Sequence, residues 1–282
     1  MALRRIVIPI RGDGKGETVL AHAAALARRH SAHIEALHCR PRKQDLMPYG
    51  VPVPSFLKKQ IEESGSGVAD EEERTLREEF RALLEPLGLT EGESGPATAS
   101  WRAVSGRQVD VLKAHGRLAD LIVVAKPDRD RNLGANTLRA ALFNAGRPVM
   151  MVPPRKDHPQ SLGASVTIAW NGSTEAARAV ALTLDVLAAA DRVTVLSAGR
   201  EVHGATAEGL IEYLAMRGIE AELVSFTVKG SIGEALLART RDQGADTMIM
   251  GAYGESHERE TVFGGNTQTV VDTAVQPVIL VH

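Results

Sequence analysis

The chain alternates short apolar runs with stretches of helical periodicity along most of its length. The apolar runs predict strands, and the segments with apolar positions every three or four residues predict helices between them. Because the strands are apolar throughout, we expect both faces of the sheet to be covered. In the second half the pattern predicts strands at 165–170, 192–198, 220–227, 246–250 and 277–281, and helices at 174–189, 205–217, 231–242 and 265–274.

The regular alternation of strand and helix predicts an α/β fold, in which right-handed crossovers build a parallel sheet with helices on both faces. The first half follows the same plan but carries extra length at 41–97, where Pro41, Pro48, Pro52 and Pro54 interrupt any regular element. A helix is predicted near 70–85. Asp70 and Glu73 have the spacing of a capping box, and one face of this helix carries Leu76, Phe80, Leu83 and Leu84.

Three pairs of segments recur in the same order in the two halves, which indicates an internal duplication. The pairs are 6–12 with 166–172, 119–125 with 245–251, and 134–154 with 264–282. A polar, proline-containing segment at 155–163 separates the repeats. We therefore predict one domain at 1–154, with an insert at about 41–97, a linker at 155–163 and a second domain at 164–282.

Composition narrows the class of protein without naming a function. The 282 residues are 44% hydrophobic and 24% charged, with a net charge of −2, so a disordered chain or a surface for nucleic acid or anionic membrane is not expected. A single cysteine, Cys39, excludes an intramolecular disulfide and an all-cysteine metal site. The apolar run at 6–10 is too short for a secretory leader. We expect a cytoplasmic protein.

Two second-half segments follow strands at the edge of the sheet where α/β folds bind ligands. One is 170–173, after the first strand. The other runs from Gly251 through Gly254 to a helix start near Thr267. Glycines let backbone N–H groups approach an anion, and a helix N-terminus adds its dipole, so this edge suits a phosphate chain. The alternatives are ordinary turn glycines at 251 and 254, and a turn with a helix cap at 171–173.

The spacing Gly251-x2-Gly254-x9-Gly264, together with the opening segment 168–180, resembles the nucleotide loop and first turn of universal stress proteins. The resemblance covers essentially the whole chain as a tandem pair. It implies two repeats of a five-stranded parallel sheet flanked by helices, of the adenine-nucleotide α-hydrolase-like (Rossmann-like) class. It also implies that ATP or ADP, with or without Mg²⁺, binds in the second repeat.

The resemblance assigns a role to each segment of the candidate site. Asn171 would face adenine or ribose, Gly251 and Gly254 would border ribose and phosphates, and the start of the last helix would cradle phosphates. The implied nucleotide-binding residues are Ala169, Trp170, Asn171, Gly172, Ser173, Gly251, Gly254, Gly264, Gly265, Asn266 and Thr267.

The sequence departs from the family pattern at several of these positions. Members that bind ATP typically have Asp in place of Asn171 and Ser or Thr in place of Gly265, and the acids Glu255 and Glu258 lie in the loop. Loss of a charged acceptor and of a hydroxyl predicts weakened affinity. His257 and Arg259 could contact phosphates or simply face solvent.

The first repeat departs further from the pattern. Arg11 stands at the Asp position, Ala125 and Asp128 replace the first two glycines, and only the motif at 134–137 remains. We therefore expect no family-type ATP binding there. The turn at 12–16 fits neither a dinucleotide fingerprint nor a P-loop. The insert, with Met47, Tyr49 and Phe56, could instead build or cover another pocket.

Other chemically active residues have simpler interpretations. Asp120 and Asp246, each just before a strand, are expected to stabilise turns. Cys39 is expected to be a buried small hydrophobe. The side chains of His30, His33 and His38 are expected to diverge, so they do not indicate a metal site.

The leading hypothesis is a stress-response protein whose second repeat binds an adenine nucleotide and acts as a sensor or regulator. The alternative is a scaffold or interaction module that has lost nucleotide or binds another ligand at the insert. Enzyme activity is the weakest hypothesis, because no catalytic residues and no metal ligands are apparent. The family resemblance implies that the strands at 149–152 and 278–281 meet, so that the repeats form an intramolecular pseudo-dimer, with a homodimer also open.

Overall fold

The structure is a computed structural model that describes residues 3–40, 42, 55–92, 94–154, 157–198, 204–254 and 265–282. Side chains in the helical stretch 55–66 are not described. We call residues 1–154 the first half and residues 164–282 the second half. The described strands are β1 (Arg5–Ile10), β2 (His33–Arg40), β3 (Thr90–Glu91), β4 (Thr98–Ser105), β5 (Leu121–Ala125), β6 (Val149–Val152), β7 (Ser165–Trp170), β8 (Arg192–Ala198), β9 (Ala221–Phe226), β10 (Thr247–Gly251) and β11 (Val278–Val281).

Helices connect these strands as the alternating pattern predicts. They are α1 (Gly16–His30), α2 (Ser55–Leu84), α3 (Gln108–Gly116), α4 (Ala135–Asn144), α5 (Thr174–Leu182), α6 (Leu184–Ala188), α7 (Ala207–Ala215), α8 (Ile232–Asp242) and α9 (Gly265–Thr273). No helix among the described residues is both long enough and apolar enough to cross a membrane.

All eleven described strands join one sheet in the order β3-β4-β2-β1-β5-β6-β11-β10-β7-β8-β9. Apart from the short β3, each half contributes five parallel strands in the same relative order, which confirms the predicted α/β class. The halves meet where β6 and β11 pair antiparallel, with Val278 opposite Met151 and Leu280 opposite Val149. The expected meeting of the last strands is therefore observed.

The core forms one apolar layer on each face of the sheet. Helices α1, α2, α5 and α7 cover one layer, and helices α3, α4, α8 and α9 cover the other. The central strands alternate buried residues between both layers, so that Ile6 and Ile8 contribute to the first and Val7 to the second. This double coverage is what the apolar strands predict.

The helix of the insert corrects one prediction. It begins at Ser55 rather than near residue 70, so Asp70 and Glu73 lie inside it and do not form a capping box. Instead, both carboxylates form ion pairs with Arg40 of β2. The predicted apolar face is confirmed, since Phe80 and Leu84 are buried. Pro41, Pro48, Pro52 and Pro54 lie outside the described residues.

The predicted helix at 174–189 is also divided in two. Thr183 separates α5 from α6, and its hydroxyl donates to the carbonyl oxygen of Ala179 over 2.6 Å. A threonine that bonds back to the preceding turn can bend a helix, and this bond lies at the break.

Asp120 and Asp246 have the structural role predicted for them. Asp120 accepts hydrogen bonds from the backbone N–H groups of Arg4 and Arg5, at 2.8 and 2.9 Å. Asp246 accepts three such bonds, from the segment 163–165, at 2.8 to 3.2 Å. Each carboxylate therefore fixes the start of the first strand of its half.

Candidate functional site

The candidate site lies at the carboxyl ends of β7 and β10, which are neighbours in the sheet. After β7 the chain turns through Gly172, whose φ of +76° is a left-handed conformation that glycine adopts without strain. The Asn171 Oδ1 accepts from the Ser173 N–H over 3.1 Å, and the Ser173 Oγ accepts from the Ala176 N–H over 3.2 Å. The turn and helix cap are therefore both present, and Asn171 itself is exposed.

Gly251 lies directly against the start of α5. A methyl group at Gly251 would lie 2.5 Å from the Ala176 backbone nitrogen and 2.6 Å from the Glu175 carbonyl carbon. Only glycine allows this approach of backbone to backbone. A methyl group at Gly254 would lie 3.1 Å from Glu175 Oε2, so the segment after β10 borders the first turn of α5.

Trp170 and Ala169 support the turn from the sheet. Trp170 is buried, with 6% of its surface exposed, and its Nε1–H donates to the carbonyl oxygen of Ala205 over 3.2 Å. This bond holds the chain ahead of α7 beside the first turn. Ala169 is half-buried and packs against the opposite apolar layer.

The start of α9 completes the described part of the site. Gly265 and Asn266 are exposed, whereas Thr267 is buried and its Oγ1 accepts from the Tyr253 N–H over 3.4 Å. The turn after β7, the segment after β10 and the N-terminus of α9 are thus connected by direct contacts. Gly264, Glu255, His257, Glu258 and Arg259 lie outside the described residues.

Tyr253 is a residue of this region that the sequence reasoning missed. Its φ of +58° is uncommon for a bulky side chain, and its ring packs against Phe143 of α4 and against His282, with centroids 5.1 and 6.4 Å away. Burial raises the pKa of Tyr253 to about 12. The segment after β10 therefore contacts the first half of the chain.

Glu175 was also missed. Its position as the second residue of α5 is typical of an acid that favours a helix N-terminus, so the sequence offered a reason to overlook it. In the structure only 9% of its surface is exposed. The carboxylate lies beside Gly254, in the segment after β10.

The equivalent edge of the first half is occupied by its own side chains. Arg11 donates to the Thr137 Oγ1 over 2.7 Å, and Thr137 donates to Gln108 over 3.1 Å. Lys15 Nζ lies 3.7 Å from the Asp128 carboxylate. Arg11, Lys15 and Thr137 line a partly open cavity of about 20 Å³ at this edge.

Helix α2 covers the outer side of this edge. The carboxylate of Glu72 lies against the backbone of Gly12, 2.7 Å from where a methyl group there would be. Arg40 forms ion pairs with Asp70 and, at 3.0 Å, with Glu73. Met47, Tyr49 and the side chain of Phe56 lie outside the described residues, so their predicted pocket stays a prediction.

The segment after β5 reaches the opposite half. Lys126 Nζ donates to the carbonyl oxygen of Ala274 over 2.9 Å, and Arg129 pairs with Asp272 at 2.5 Å. Burial lowers the pKa of Lys126. In the described part of the chain, no group of three His, Cys, Asp or Glu side chains could hold a metal ion.

Comparison with known proteins identifies a family for the second half. Residues 165–282 match the Universal stress protein family, which confirms the resemblance stated on the sequence motifs. Among curated protein sequences, none matches the chain.

Solved structures agree with the fold over the whole chain. A universal stress protein from Archaeoglobus fulgidus DSM 4304 superposes with a TM-score of 0.68 and 16% identity, covering 100% of this chain and 99% of that one. A functionally unknown protein from Pseudomonas aeruginosa PAO1 gives a TM-score of 0.56 and 17% identity, covering 99% and 92% of the two chains. At these identities the likeness shows the fold alone.

Proposed function

We propose, from the membership of residues 165–282 in the universal stress protein family, that this chain is a stress-response protein. Its second half would bind ATP or ADP, with or without Mg²⁺, and act as a sensor or regulator in the cytoplasm. The observation that carries the proposal is the convergence of three segments at one edge of the sheet. These are the turn after β7, the segment after β10 and the N-terminus of α9.

The described residues fit an adenine nucleotide in their chemistry. At the start of α9, a methyl group at Gly265 would meet nothing within 4 Å, so backbone N–H groups of this helix turn can be approached by a phosphate. The exposed side chain of Asn171 offers its NH2 group as a donor to a base or a sugar, while its Oδ1 already accepts from the Ser173 N–H. A site built from backbone groups needs no excess of lysine or arginine, consistent with the net charge of −2.

The same residues predict modest affinity. Asn171 lacks the charge of the typical Asp, and Gly265 lacks a hydroxyl. Neutral hydrogen bonds contribute about 0.5–1.5 kcal/mol and charged ones up to about 3, so the two losses together weaken binding by a factor of roughly ten to a thousand.

Calorimetric titration with ATP and Mg²⁺ tests the proposal. We expect saturable binding that the Gly254→Val variant loses, because the added side chain would meet the Glu175 carboxylate. Gly67→Val is the matched control, since Gly67 lies in exposed helix with nothing within 4 Å of an added methyl group. No heat at millimolar ATP would contradict the proposal, and release of phosphate in the same sample would instead indicate an ATPase.

The two halves would act together as an intramolecular pseudo-dimer. The antiparallel pairing of β6 with β11 supports this proposal, as do the reciprocal contacts of Tyr253 with α4 and of Arg129 with α9. A conformational change of the segment after β10 on nucleotide binding would then be transmitted to the first half through these contacts. We do not expect nucleic acid or membrane as partners, and a homodimer stays open.

A second candidate function is a scaffold that binds no nucleotide, or that binds another ligand near the insert. The covering of the first-half edge by α2, through Glu72 and the ion pairs of Arg40, favours it. Deletion of residues 43–66 separates the two functions. If the protein is a nucleotide sensor, the deletion variant keeps its ATP affinity. If the protein binds another ligand at the insert, neither the full chain nor the deletion variant binds ATP, and the deletion removes binding of that other ligand.

A further inference from the structure

Glu175 is a buried carboxylate that the proposed function leaves unexplained. Its surface is nine-tenths buried, and its Oε2 lies beside Gly254, a glycine that the family resemblance assigns to the border of ribose and phosphates. Among the described residues, no hydrogen bond or ion pair satisfies this carboxylate. Burial of a charged group costs free energy unless a partner compensates it, so this position calls for a ligand that donates hydrogen bonds.

The position of Glu175 at the start of a helix does not account for its burial. Glu17, Glu208 and Glu234 occupy the first turns of α1, α7 and α8. Glu208 and Glu234 are exposed to solvent. Glu17, whose side chain is about half exposed, pairs with His158. An acid that only favours the helix dipole can therefore stay in water in this protein, whereas Glu175 is turned into the site.

The neighbouring residues indicate what the carboxylate could recognise. An ionised carboxylate only accepts hydrogen bonds, and a phosphate, which carries negative charge, is repelled by it. Asn171 lies in the turn just before α5, at the position where a charged acceptor is absent. Glu175, in the first turn of α5, supplies a charged acceptor beside Gly254. Of the groups in an adenine nucleotide, the ribose hydroxyls are donors next to the phosphate chain.

We propose that Glu175 accepts hydrogen bonds from the ribose hydroxyls of the bound nucleotide, so that the site selects ribonucleotides over sugars that lack these hydroxyls. The inference rests on the proposed nucleotide binding in the second half. The inference adds to that function the part of the ligand that is recognised, the ribose, and the residue that recognises it, Glu175.

The test compares ATP with 2′,3′-dideoxy-ATP by calorimetry at one Mg²⁺ concentration. A hydrogen bond to a charged group predicts that the wild-type protein binds ATP at least about tenfold more tightly than the dideoxy form. In Glu175→Gln, which keeps the shape and loses the charge, ATP affinity falls while dideoxy-ATP affinity does not, so the ratio shrinks to within about threefold.

Glu208→Gln is the matched control, because Glu208 is the second residue of α7 and is exposed. It should keep the wild-type ratio. A purely structural role of Glu175 would change both affinities together and leave the ratio intact, which overturns the inference. Equal affinity of the wild-type protein for both nucleotides also overturns the inference but leaves the proposed function standing. If the wild-type protein binds neither nucleotide, both the proposed function and the inference are overturned.

Discussion

The carboxyl edges of the two halves have the same strand order but different contents. In the second half, Asn171 and Gly265 are exposed, and Gly251 lets α5 lie close to β10. In the first half, the guanidinium of Arg11 binds Thr137, and both side chains line a cavity of about 20 Å³. The comparison teaches that a duplicated fold can keep its sheet while a few side chains change what lies at the carboxyl edge of one half.

The amino edges of the two halves remain alike. Asp120 and Asp246 each bind the backbone N–H groups that open the first strand of their half. Apart from the insert of the first half, the two halves therefore share their amino edge and differ in the side chains at the carboxyl edge. This pattern separates residues that build the fold from residues that decide what the edge holds.

The largest expected effect concerns the shared amino edge. Asp246→Ala leaves three backbone donors without their carboxylate, and Asp120→Ala leaves two. We expect losses in the free energy of unfolding of about 3 and about 2 kcal/mol, since a hydrogen bond to a charged group is only partly replaced by water. Urea denaturation measures both. Equal or reversed losses would show that the number of backbone hydrogen bonds does not set the size of the effect.

The next effect concerns the close approach at Gly251. Gly251→Ala forces a methyl group onto the backbone of α5, and we expect a loss of about 2 kcal/mol. The first half has Ala125 at the equivalent position, so this variant makes the second half more like the first. Gly265→Ala is the control and should change stability by less than about 0.5 kcal/mol, because the added methyl group meets open space. Equal effects of the two variants would contradict the packing assigned to Gly251.

A smaller effect is expected at the contact between the halves. Phe143→Ala removes the ring that packs against Tyr253 and His282, with centroids 5.1 and 4.7 Å away. Because Phe143 is 41% exposed, we expect a loss of about 1 kcal/mol in urea denaturation. Leu118→Ala, at a site 69% exposed, provides the control and should be nearly neutral. If Phe143→Ala and Leu118→Ala lose the same stability, the contact with Tyr253 contributes too little free energy to couple the two halves.

Near pH 9, the smallest effect on stability is the pH dependence contributed by Cys39 in the first half. Burial raises its pKa to about 11 from 9.0. The unfolded chain therefore loses this proton first, and the contribution to stability is full below pH 9 and lost as the pH rises toward 11. At pH 9 the thiolate fraction is roughly 50-fold smaller in the folded protein than in the unfolded one, which iodoacetamide labelling measures. Equal labelling rates would show that the thiol is not protected.

Much of the fold followed from the sequence because its signals are local. The apolar runs predict the strands of the second half to within a residue or two, and Ser173 follows a turn that its own neighbours specify. The length of α2 could not be predicted, since Gly65 and Gly67 disfavour a helix. Its residues Asp70 and Glu73 pair with Arg40, a partner distant in the chain. Tertiary contacts outweighed local preference there.

The sequence predicted the segments that form the candidate site but not two of the side chains within it. Glycine spacing indicated the turn after β7 and the segment after β10. Glu175 escaped notice because an acid near a helix N-terminus has an ordinary explanation, and only the approach of Gly254 shows where its carboxylate lies. Tyr253 escaped because its partner Phe143 belongs to the other half. The spacing of residues in the sequence does not show which side chains are buried or which contacts form between the two halves.

The central claim is that one edge binds a nucleotide and the other does not. Amide hydrogen exchange, followed by mass spectrometry with and without saturating ATP, tests it most directly. We predict that ATP slows exchange in peptides covering 170–176, 250–254 and 265–270, and leaves peptides covering 10–18 and 125–137 unchanged. Protection of the first-half peptides, or of neither set, would contradict the account.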